Sequence, residues 1–238
     1  MTVIAGIHSV REALKNRREL ERVIVARGMG GQKVQEIVDL AREAGVQLRF
    51  DTREQIDRLA QGSAHQGVVA IGGAFRYCSM DELREDARLV VVLDGVEDPH
   101  NLGAIARTAE CAGASAIIIP ERRSAGVTDT VMKAAAGALE HLPVIRVVNI
   151  NRALEQLKER DFWLYGLDER GTDTYDTVKF ATPTAIVLGG EGHGLHEQVK
   201  KHCDVLVNIP MAGQIPSLNV SVAAGVVLFE WKRRMAGQ

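Results

Sequence analysis

Apolar and polar positions follow two different regimes along this chain. In the first stretch they alternate. Residues 22–26 (RVIVA) and 46–50 (VQLRF) predict half-buried strands, with an amphipathic helix over 31–44 between them. A short helix over 53–60 and a strand at 67–71 (GVVAI) complete a small α/β unit, residues 1–72. Residues 73–88 then turn polar and charged, which predicts a linker.

From residue 89 the strands become solid apolar runs. LVVVLD (89–94), ASAIIIP (114–120), residues 143–147, 161–167 and 184–189, and DVLVNIP (204–210) predict strands. Helices fall between them at 101–113, near 127–139, at 151–160 and near 195–201. Continuous Val/Ile/Leu strands alternating with helices imply a parallel sheet covered on both faces, so 89–238 is an α/β domain. The terminal helix, 217–231, stands apart. Val220, Val222, Ala223, Val226, Val227, Leu228, Phe229 and Trp231 leave it almost no polar face, which calls for burial on several sides. Yet it opens on a loop framed by Pro210 and Pro216, with Ser217, Asn219 and Ser221 in its first turn.

Composition narrows the function classes. No apolar run reaches the length of a membrane span, and MTVIAGIHSV lacks the basic-then-apolar order of a secretory signal. Cys78, Cys111 and Cys203 stand far apart without a CxxC pair, against a disulfide framework or a zinc ribbon. The expectation is a reduced, cytoplasmic protein. A net charge of −2 excludes a general polyanion binder. Residues 1–80 nonetheless carry 12 Lys/Arg against 9 Asp/Glu, while 81–238 carry 17 against 22. The basic first part suits phosphate contacts, and scattered surface charge explains it equally.

Ligands of open α/β sheets sit beyond the carboxyl ends of strands. Three such ends carry unusual chemistry. After 89–94, Asp98-Pro99 turns the chain and Asn101 can cap the following helix; Arg107 lies further along that helix, as a substrate contact or a solvated side chain. After 184–189, the run GGEGHG brings backbone N–H groups close to a ligand and holds Glu191. It fits neither the dinucleotide spacing, since residue 195 is leucine, nor a P-loop. His193 and His196, with Cys203 nearby, suggest zinc, but no fourth ligand is evident and the expectation is no metal. After 204–210, Ser217 can cap the terminal helix, which leaves Asn219 unexplained.

Together the three loops resemble the motifs of the SpoU/TrmH family of RNA ribose 2′-O-methyltransferases, within the SPOUT superfamily. The matching segments are 94–113 (with Asn101, Gly103 and Arg107), LGGEGHGL at 188–195, and IPMAGQIPSLNVSVAAG at 209–225. GIHSVREAL at 6–14 and HQGVVA at 65–70 look like the L30e-like RNA substrate-binding domain that precedes the catalytic domain in bacterial 23S rRNA (guanosine-2′-O-)-methyltransferases. The resemblance implies a SPOUT parallel-sheet domain with a C-terminal trefoil knot, S-adenosylmethionine as cofactor, and a homodimer through the catalytic domain. It implies catalytic roles for Arg107, Asn101, Glu191, Ser217 and Asn219. Gly189, Ile209, Met211 and Leu218 would contact the cofactor. A tRNA ribose methyltransferase, or a catalytically silent RNA-binding protein of the same fold, is the alternative.

Overall fold

The computed structural model describes residues 2–16, 18–62, 64–72 and 75–236. The chain forms two compact units, residues 1–76 with 127–141, and residues 77–126 with 142–238.

The first unit begins with β1 (Thr2–Ala5), α1 (Ile7–Lys15), β2 (Leu20–Ala26), α2 (Gln32–Glu43), β3 (Gln47–Asp51), α3 (Arg53–Ala60) and β4 (Val68–Gly72). Its sheet runs β1-β4-β2-β3, with β4 antiparallel to both neighbours and β2 parallel to β3. Alternation along β2 sorts the core onto two faces. Val23 and Val25 pack with Val10, Leu14 and Ile37 of α1 and α2. Ile24 and Ala26 pack with Ile56 and Ala60 of α3. β1 and α1 lie ahead of the first strand predicted from the sequence. Gly6, at φ 102, starts α1 without a side-chain cap, so the usual helix-start signal is missing.

The rest of the chain supplies β5 (Leu89–Asp94), α4 (Pro99–Ala112), β6 (Ala116–Pro120), α5 (Asp129–Ala135), β7 (Val144–Val147), α6 (Ile150–Glu159), β8 (Trp163–Leu167), β9 (Asp173–Thr174), β10 (Thr184–Gly189), α7 (Glu197–His202), β11 (Val205–Asn208) and α8 (Val220–Met235). The seven strands form a wholly parallel sheet, β7-β6-β5-β10-β8-β11-β9. From β5 the chain builds outward to β6 and β7. It then crosses to β8 and β9 before β10 inserts between β5 and β8, so the sheet reverses direction at the β5–β10 pair. One face is filled by Val90, Val92, Ile118, Ala185 and Val187 packed against Leu154 and Leu157 of α6. On the other side α8 packs against α4 and β10.

Three features depart from the sequence expectation. The segment between β6 and β7 packs in the first unit: α5 contacts β1, and Arg18 pairs with Glu140 at 2.8 Å with both side chains largely buried. The helix expected near 127–139 stops early because Ala136 and Gly137 both adopt positive φ. Residues 77–88, from the stretch expected as linker, hold to the second unit, and positions 73 and 74 lie outside the described residues. Leu83 and Ala87 hide among the charges and enter the core, while Cys78 exchanges backbone hydrogen bonds with Val144 and Arg146.

The terminal helix is the third. It starts at Val220, not Ser217, and within the protomer it is not buried all round. Val220, Ala224, Val227, Leu228 and Trp231 are buried, whereas Val222 is 51% exposed and Phe229 48% exposed. With half-buried Val226 they form one stripe at i, i+4 and i+7. The inward side is anchored by Trp231, whose Nε1 donates to Thr184 Oγ1 at 2.8 Å, both residues being buried. Trp231→Phe removes that donor and leaves unfilled volume, so unfolding stability is expected to fall by about 1–3 kcal/mol. An unchanged urea midpoint would show that the anchor contributes nothing.

Candidate active site

The reversal at β5–β10 opens a crevice where the carboxyl ends of both strands meet, the place where sheets of this class hold ligands. The two loops there touch backbone to backbone. Gly190 N donates to Asp94 O at 2.8 Å, and Gly194 N donates back to Gly190 O at 3.1 Å. A Cβ on Gly190 would overlap the Gly95 carbonyl, and one on Gly189 would overlap Gly194 and Leu195. The glycine run is therefore a requirement of packing, and it throws Glu191 out toward the crevice.

Glu191 meets two amides there. Asn101 Nδ2 donates to Glu191 Oε1 at 2.5 Å. Asn219 Nδ2 donates to the same oxygen at 3.1 Å and to Asn101 Oδ1 at 3.0 Å. Side chains from three separate strand-end loops thus close a triangle. The caps explain how they are free to do so. Asp98, not Asn101, caps α4 by accepting from His100 N, with Pro99 in the first turn; Asn101 is carried inside the helix and turned inward, 5% exposed. Asn219, not Ser217, caps α8. Its Oδ1 accepts from Ser221 N at 2.9 Å while its Nδ2 joins the triangle.

Two cavities share the Gly190–Gly194 wall. The larger, about 720 Å³, is lined by Gly189, Ile209, Met211, Ser217, Leu218 and Asn219, together with Glu191. It collects all four residues expected to contact a cofactor. The smaller, about 410 Å³, lies on the β5 side and contains Asp94, Asn101, Glu191 and His196. Both fall in the usual range for small-ligand sites, roughly 300–1,000 Å³. Arg107 is the one expected residue that joins neither: it is exposed on α4 and lines neither cavity.

The larger cavity also has a wall that the three-loop reading missed, at the end of β8. Lys200 Nζ lies 2.7 Å from Asp168 Oδ2. Burial raises the Asp168 pKa, but the Lys200 hydrogen bond and charge, with the Arg170 N–H, outweigh it and hold the carboxyl below its ordinary value. A fourth strand end was the available signal. Among the described residues no three His, Cys, Asp or Glu side chains are placed to hold a metal ion. Burial pushes the Cys203 thiol up to about 12, and its Sγ lies 3.4 Å from Val199 O, an arrangement for a protonated structural thiol.

A family model described as the SpoU rRNA Methylase family matches residues 88–229, and one described as RNA 2′-O ribose methyltransferase substrate binding matches residues 3–78. The chain belongs to the SpoU/TrmH family of RNA methyltransferases. It is 40% identical over 237 residues to YacO of Bacillus subtilis (strain 168), named as a TrmH family tRNA/rRNA methyltransferase, covering 97% of this chain and 95% of that protein. The SpoU methyltransferase AviRb from Streptomyces viridochromogenes superposes with a TM-score of 0.85 at 26% identity, covering 100% of this chain and 91% of that one. An AdoMet-bound rRNA methyltransferase from Sinorhizobium meliloti gives 0.86 at 25% identity, covering 98% and 87%.

This SpoU/TrmH enzyme uses S-adenosylmethionine, and the larger cavity fits it: a glycine cradle that a Cβ would fill, walled by apolar Ile209, Met211 and Leu218. Gly190→Ala forces the 94–95 and 190–194 backbones apart. S-adenosylmethionine affinity is expected to fall at least about tenfold, a cost of ~1.4 kcal/mol within the range for overpacking. Calorimetry showing wild-type affinity in a folded Gly190→Ala protein would refute the cradle.

Proposed function

We propose that the chain methylates a ribose 2′-hydroxyl of RNA, with a guanosine of 23S rRNA as the acceptor. The observation that carries this is the Asn101–Glu191–Asn219 triangle, set on the wall between a cofactor-sized cavity and a second one beside it. When bound, S-adenosylmethionine supplies a methyl group on a sulfonium, whose departure as a neutral thioether calls for no metal. Gly189, Ile209, Met211 and Leu218 hold the cofactor. Asn101, Glu191, Ser217 and Asn219 orient the ribose hydroxyl in line with the methyl group. Arg107 carries a guanidinium that stays protonated, so its role is to hold an RNA phosphate and stabilise charge developing on the oxygen.

The first unit, 1–72, serves as the RNA dock. Support comes from its basic balance, the substrate-binding model over 3–78, and exposed Arg27, Arg49, Phe50 and Arg53 at the ends of β2 and β3. Exposed aromatics and arginines suit unstacked bases and phosphates. A two-unit chain favours ribosomal RNA over tRNA. The insertion of β10 between β5 and β8 supports a C-terminal trefoil knot, which a backbone trace that pulls free from both ends would refute. The compartment is the cytoplasm, on the RNA substrate and three cysteines that form no disulfide; fractionation tests it.

The decisive measurement is methyl incorporation from labelled cofactor into a 23S rRNA fragment, alongside titrations of each ligand. Arg107→Ala is expected to lower kcat about 100-fold or more with cofactor affinity unchanged, and Arg107→Lys not to restore it. Arg49→Glu/Arg53→Glu is expected to weaken RNA binding alone. Incorporation into tRNA only moves the substrate, and incorporation into neither supports a silent RNA-binding protein.

The uncovered Val222–Val226–Phe229 stripe supports a homodimer through α8 of the second unit. Arg107 sits beside it, since Thr108 Cγ2 would lie 3.8 Å from a Cβ on Gly225. Pairing two stripes brings each Arg107 toward the partner's cavities. The wild type is expected to sediment as a dimer and Val222→Asp/Phe229→Asp as a monomer; a dimeric double variant would remove the stripe from the interface.

A further inference from the structure

The smaller cavity holds a hydrogen-bonded pair that the proposed roles leave unused. Asp94, the last residue of β5, is 6% exposed. Its Oδ2 accepts from the His196 backbone N at 2.8 Å and lies 2.9 Å from His196 Nδ1. The His196 ring is otherwise open, its side chain 55% exposed. A carboxylate can only accept, so Nδ1 carries the proton and the free nitrogen, Nε2, presents a lone pair.

We propose that this cavity receives the acceptor nucleotide and that His196, oriented by Asp94, takes the proton of the ribose 2′-hydroxyl. This rests on the ribose methylation proposed above. Three observations carry it. The cavity lies at the β5–β10 reversal and shares its Gly190–Gly194 wall with the cofactor cavity, with Asn101 and Glu191 on its lining. A hydroxyl held there faces the methyl donor across the triangle.

The charge around the cavity suits this occupant. Asp94, Glu97 and Asp98 face it from the β5 loop, Glu191 and His193 from the β10 loop, and Arg123 from the loop after β6. Glu197 and Lys200 lie further along α7 itself. Four carboxylates against one arginine repel a phosphate and accept an uncharged ribose, and they stabilise an imidazolium once it forms.

The other candidate bases are committed or unheld. Glu191 Oε1 already accepts from two amides, a guanidinium does not give up its proton, and His193 has no hydrogen-bond partner among the described residues to orient it. In the step itself the 2′-O–H bond breaks and its proton passes to Nε2. The oxygen pair forms the O–CH3 bond as the S–CH3 bond breaks, and the imidazolium returns its proton to water.

The test compares wild type, His196→Ala and His196→Asn. The asparagine keeps a donor for Asp94 but offers no base. Positioned general bases contribute typically 10²–10⁴-fold, so both variants are expected to lose about 100-fold or more in kcat with cofactor affinity unchanged. Wild-type kcat is expected to fall as pH drops through the histidine range, because protonated Nε2 cannot accept, and the variants to lose that limb. Added imidazole is expected to restore part of the His196→Ala rate. A readout without turnover is the His196 Nε2 NMR resonance: an RNA fragment bound with S-adenosylhomocysteine is expected to shift it, and the same fragment with a 2′-deoxy target is not. A folded His196→Asn enzyme with wild-type kcat and the same acid limb would overturn the role of His196 alone. A wild type that methylates no RNA would bring down the ribose reaction first.

Discussion

Gly190 and Gly95 approach so closely that no side chain fits between the loops leaving β10 and β5. Everything at the site hangs on that contact. It fixes the register in which Asp94 meets the backbone of residues 190 and 196, and it decides where Glu191 emerges. Two strands distant in sequence become neighbours at the sheet reversal, and the backbone contact turns their ends into one rigid wall. A cavity on each side of that wall then follows from the sheet order rather than from any one loop.

Asn219 shows how the terminal helix is tied to the wall. One end of its amide satisfies an orphan N–H of α8, and the other satisfies Asn101 and Glu191. The helix start and the functional network are therefore one set of hydrogen bonds. Fraying of α8 would release a donor from Glu191, so the helix that packs on α4 and β10 also holds the chemistry in register.

The parts of this arrangement legible in the sequence are those set by burial. β5 and β10 lie between layers and read as unbroken apolar runs, and the glycine density at 189–194 marks a close approach whatever the partner. The SpoU/TrmH motifs pointed to the right family. Cap assignment failed at Asn101 and Ser217, because Asp, Asn and Ser cap about equally well and only the tertiary triangle decides which is released. The exposed stripe of α8 was equally hidden, since an apolar residue facing a missing neighbour reads like one facing the core. Asp168 and Lys200 make one wall through an ion pair between elements 32 positions apart, which no local pattern announces.

The excursion of residues 127–141 into the first unit has a consequence for synthesis. Val131, Met132 and Ala135 of α5 are buried there, and Glu140 covers Arg18. A nascent chain ended at residue 76 carries the four strands but not the helix that covers β1. At roughly 5–20 residues per second, the ribosome needs about 3–13 s to deliver the missing stretch. The unit encoded first is thus finished only after β5 and β6 have been made, and while it waits an apolar edge stands open to chaperones.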